Sequence, residues 1–145
     1  MHSRRLLLLL TAATLLSLIG AAPVTARSPR TGDLQIAKEC SAYTGQAGSF
    51  CTFTASNIKQ IQPGDRIVYA AAAGAASLDT DVVIVAGPGN VARGHCTLVF
   101  ASLPGRCTFS GGTGVFTHFH ATVDVSLDAT GLWHWDGTYR FSPRS

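Results

Sequence analysis

Two stretches near the C-terminal end, 115–127 and 132–141, alternate apolar and polar residues with a period of two, the pattern of a half-buried β-strand. In the first, odd positions carry Val115, Thr117, Phe119, Ala121, Val123, Val125 and Leu127, while Phe116, His118, His120, Thr122, Asp124 and Ser126 occupy even ones. In the second, Trp133, Trp135, Gly137, Tyr139 and Phe141 are odd, and Leu132, His134, Asp136, Thr138 and Arg140 are even. Both apolar rows must share a face, so odd positions pair with odd and the connection holds an odd number of residues. Ala129-Thr130-Gly131 meets this as a three-residue loop with Gly131 left-handed. Asp128 then lies opposite Leu132, Ser126 opposite His134, Asp124 opposite Asp136, and His120 opposite Arg140. The odd face is the buried one, because its aromatic rings remove the most apolar area from water.

The rest of the chain is built in the same short units. Apolar stretches at 34–43, 49–55, 66–73, 80–86, 94–100 and 106–110 read as six further strands. Gly45, Pro63-Gly64-Asp65, Gly87-Pro88-Gly89-Asn90, Pro104-Gly105 and Gly111-Gly112-Thr113-Gly114 separate them. Residues 56–62 offer one helical turn at most. Eight short strands with such punctuation make an all-β sandwich or closed barrel.

Residues 1–26 read as a signal peptide: Arg4 and Arg5, then an apolar run over 6–19, then Val24-Thr25-Ala26 as a small-residue cleavage site. The run is shorter than a bilayer requires, although a retained anchor is the competing reading. Residues 27–33 form a loose polar lead-in and 34–143 the folded domain. Eleven Lys and Arg oppose eight Asp and Glu. Without Arg4 and Arg5 nine oppose eight, too even a balance for a nucleic-acid-binding surface. The expectation is a secreted or periplasmic protein, free of the membrane after cleavage.

Four cysteines in an exported chain imply disulfides. Cys40 and Cys51, like Cys96 and Cys107, are eleven positions apart and bracket a turn. Hairpins about Gly45-Gln46 and Ala101-Ser102 bring each pair opposite one another, within bonding reach. The preferred bridges are therefore 40–51 and 96–107, each stabilising by roughly 2–4 kcal/mol.

Gly94-His95-Cys96-Thr97, CTFSGGTGVF over 107–116, Phe119-His120-Ala121 and WDGTYRF over 135–141 together resemble the bacterial branch of the allene oxide cyclase/dirigent barrel superfamily. The likeness runs from about Cys40 to Pro143. It implies an eight-stranded antiparallel β-barrel of calycin-like form with an apolar interior. Its plant members close a fatty-acid epoxide or steer radical coupling, but their catalytic residues cannot be carried over, because the matched motifs fall in turns and core strands.

Several residue groups suggest chemistry of their own. His118 and His120 form an H-x-H pair that could share a metal with Asp124, although solvent-side polar residues are the plainer reading and Arg140 opposes a cation. Asp124 and Asp136 could share a proton, yet opposed carboxylates more commonly splay into water. Asp79 and Asp81 share a strand face and read as edge or turn residues, with a cation site as the alternative. Gly111–Gly114 reads as a tight β-connection, since a phosphate loop needs a lysine and a following helix. The cysteines are bridged, which removes a thiol nucleophile. No metal and no cofactor are expected.

The remaining feature is the barrel interior, for an eight-stranded barrel either fills with side chains or holds one small ligand. Phe119, Trp133, Trp135, Tyr139 and Phe141 are the expected contacts for a small hydrophobic ligand. Binding or non-covalent steering is preferred over an isomerase/cyclase, and a filled structural barrel is the third possibility. The sequence leaves the catalytic residues, and assembly into a homo-oligomer, open.

Overall fold

A computed structural model describes residues 30–143; the leader assigned to residues 1–26 lies outside them. The chain is a closed antiparallel barrel of eight strands, each paired with its neighbours in sequence and β8 returning to β1. The strands are β1 (Thr31–Glu39), β2 (Phe50–Ser56), β3 (Arg66–Tyr69), β4 (Ser77–Val85), β5 (Val91–Val99), β6 (Gly105–Thr113), β7 (Phe119–Leu127) and β8 (Trp133–Phe141). One 3-10 turn, Gly114–Phe116, precedes β7.

The final hairpin has the expected register: Ser126 opposes His134, Asp124 opposes Asp136 and His120 opposes Arg140. Gly131 is left-handed at φ 86°. Asp128 closes the loop by accepting from the backbone N–H groups of Thr130 and Leu132. Both expected disulfides are present, with Cα–Cα separations of 4.3 Å for Cys40–Cys51 and 4.1 Å for Cys96–Cys107. Cys96 and Cys107 are directly opposed in the β5–β6 ladder.

Several boundaries differ from the sequence reading, and the following have a local cause. β1 begins at Thr31, inside the supposed lead-in, because Gly32 lies close to the Tyr139 ring and the strand pairs with β8 from Thr31 onward. β3 stops at Tyr69, leaving the alanine-rich stretch as loop, and the segment read as a helical turn, 56–62, ends β2 at Ser56 and continues in bends and turns without a helix. β7 starts at Phe119, not at 115: the 3-10 turn and His118, at φ 62°, reverse the parity, so Phe116 is buried and Val115 exposed. Gly111, Gly112 and Thr113 extend β6 and are not a connection, with Gly112 lying close against Val91.

Inward-facing side chains fill the barrel. Trp135 packs edge-on against Phe53 at 5.4 Å between centroids and lies 5.3 Å from Phe109, and Phe119 contacts Phe109, Phe116 and Phe141. Ile58 and Ile61 from the β2–β3 loop and Phe116 from the β6–β7 connection are buried in this cluster and plug one end. The opposite end carries the β1–β2, β3–β4, β5–β6 and β7–β8 connections.

Candidate functional site

At that opposite end one inward position holds a lysine. Leu34, Ile36 and Lys38 share the inner face of β1, and Lys38 pairs with Phe53 on one side and Trp133 on the other. Between Ala37 and Lys38 the register slips by one residue of β2, a bulge near the strand ends. Lys38 is only 3% exposed. Its Nζ donates to Tyr69 Oη at 2.9 Å, with Cys40 Sγ a weak contact at 3.9 Å. The ammonium lies 5.4 Å from the Trp133 ring centroid and 5.6 Å from those of Tyr69 and Trp135. Among the described residues no carboxylate forms an ion pair with it.

Ring faces attract a cation but replace water poorly. Burial therefore pushes the Lys38 pKa down to about 7. The Tyr69 hydroxyl, also buried and beside Tyr43, is pushed the other way and stays protonated. A recess of about 50 Å³ opens beside the amine, lined by Lys38, Tyr43, Tyr69, Leu78, Leu98, Trp133 and the Cys40–Cys51 bridge. By the volume one water needs, it accommodates roughly three or four water-sized groups. Tyr43 is edge-on to Tyr69 at 5.1 Å, and its hydroxyl oxygen is buried without a hydrogen-bond partner among the described residues. Trp135 Nε1 is buried and unpartnered in the same way. A buried amine beside a small recess can hold a group that accepts hydrogen bonds.

The sequence-level candidates are distributed more widely. Trp133 borders the recess. Trp135 and Phe119 lie within the packed rings, with Phe141 half-buried against them. Tyr139 lines an open groove of about 510 Å³ on the outer surface, among Thr31, Thr122, Thr138 and His120. His118 lies outside β7, so the H-x-H pair does not share a strand face. Asp124 lies directly opposite Asp136 in the ladder and is engaged by Arg106 at 3.1 Å. Among the described residues no group of three His, Cys, Asp or Glu side chains is placed to hold a metal ion.

Asp79 and Asp81 are not edge or turn residues. Both project from the middle of β4 and clamp His95 of β5, at 2.6 Å to Nε2 and 2.9 Å to Nδ1. The two carboxylates, Asp81 first, hold the imidazole protonated above its usual range. Lys38 went unnoticed in the sequence, although it continues the parity of Leu34 and Ile36. No family model, curated protein or solved structure matches this chain.

Proposed function

We propose that this protein is an exported binding barrel, related to the allene oxide cyclase/dirigent group, that takes a small, mainly apolar molecule by an oxygen-bearing head. The carrying observation is Lys38: an amine buried without a carboxylate partner among the described residues, beside a half-open recess that Tyr43 also lines. Such a group costs stability wherever it is charged, and a carboxylate or carbonyl head would offset that cost. The recess admits the head alone, so an apolar tail would rest on the rim, where Val99, Phe100 and Leu127 are exposed at the same end. Trp133 is the contact we retain from the ring set. Two disulfides suit an oxidising compartment, which agrees with reading residues 1–26 as a secretory signal.

Titration of tryptophan fluorescence with hexanoate tests the reading, since both indoles of the chain lie against Lys38. Saturable binding of hexanoate, weaker for hexane-like neutral analogues and lost in Lys38→Met, is expected. No saturable signal, or equal binding by Lys38→Met, would overturn it.

A further inference from the structure

We infer that Lys38 captures small aldehydes covalently as an imine, with the Tyr43 hydroxyl serving the carbonyl oxygen. The inference rests on the recess being a ligand site and adds the class of molecule that reacts there. Three features coincide in one place. The amine is held in the barrel wall by Tyr69 and, among the described residues, has no carboxylate to keep it charged. The space beside it is the size of a short carbonyl compound. Tyr43 lines the same recess, and its hydroxyl is shielded and has no partner among the described residues. An uncharged lysine in an apolar pocket is a competent nucleophile, and burial brings this one to a pKa of about 7.

The chemistry balances without any oxidant. The Nζ lone pair forms a bond to the carbonyl carbon, and the C=O π pair moves to oxygen. That oxygen takes a proton from Tyr43, whose hydroxyl is restored by a proton leaving the nitrogen. The carbinolamine then breaks its C–O bond; the oxygen departs as water with the remaining nitrogen proton, leaving C=N. A protonated imine would meet the same three ring faces that now surround the ammonium.

The test is reductive trapping of the folded, disulfide-bonded protein with propanal and cyanoborohydride near neutral pH, read by peptide mapping. The chain has two lysines, and exposed Lys59 is the internal reference. Lys38 is expected to gain a propyl group at least about tenfold faster than Lys59, because far more of it is free amine. Tyr43→Phe should slow Lys38 labelling while leaving Lys59 unchanged, and excess hexanoate should protect Lys38. Labelling confined to Lys59 while hexanoate still binds at Lys38 would refute imine formation and spare the binding reading. Labelling confined to Lys59 with no hexanoate binding would refute both.

Discussion

Replacing Lys38 by methionine should stabilise the protein, and by an amount that depends on pH in a defined window. The amine titrates at about 7 in the fold and at 10.5 when free. Below pH 7 both folded and unfolded chains carry the proton, and the fold bears the whole cost of burying it. As pH rises from 7 to 10.5, the unfolded chain still binds a proton that the folded chain has released, so stability climbs. From the usual conversion of a pKa difference into free energy, burial of the ammonium costs about 5 kcal/mol near pH 6 and about 1 kcal/mol near pH 9.5. The groups facing Nζ do not blur this window. Tyr69 from β3 and Tyr43 from the β1–β2 loop are both pushed toward the neutral form, and Trp133, Trp135, Leu78 and Leu98 do not titrate. Methionine keeps most of the volume but leaves the Tyr69 hydroxyl without its donor, an opposing cost of about 1–3 kcal/mol that does not change with pH. Urea unfolding at both pH values, with disulfides intact, should therefore show Lys38→Met more stable near pH 6. That advantage should shrink by roughly 3–4 kcal/mol near pH 9.5. Parallel pH profiles for the two proteins would refute the argument, since they would mean that Lys38 keeps its proton on folding.

Gly137→Ala places a methyl group against the Thr122 carbonyl and Val123 Cα, backbone atoms that cannot give way; a loss of about 2–3 kcal/mol in urea melts is expected. Replacing Cys96 and Cys107 together by serine should cost roughly 2–4 kcal/mol through the reopened loop, read as a lower thermal midpoint. Asp81→Asn should lower the NMR titration midpoint of His95 by removing its stronger partner. Because both carboxylates raise that pKa, their support of the fold is complete below about pH 6.5 and fades as pH rises through the higher folded value. The pairs are largely exposed, so the effect on unfolding should stay below about 1 kcal/mol.

What the sequence revealed follows from where its signals are local. The β7–β8 hairpin was legible because two aromatic rows and a three-residue loop admit one register, and the disulfides because each bridge closes a hairpin. Parity failed at Val115, where a 3-10 turn and left-handed His118 shift the inward position to Phe116. Gly111 and Gly112 look like a turn but serve as strand residues, and Gly112 lets β6 lie close to β5. The Asp79–His95–Asp81 clamp needs the β4–β5 register, and β5 begins at Val91, three residues before the stretch that reads as strand. Lys38 shows the limit most sharply. Within Ala37-Lys38-Glu39 it looks like a surface lysine, and only the step of two from Leu34 and Ile36 places it inside.

The site depends on one amine being buried and unneutralised, and the ¹³Cε resonance of Lys38 reports that directly. With Lys59 as the exposed reference, the account predicts a Lys38 midpoint at about 7. A midpoint at the ordinary lysine value of 10.5 would contradict it.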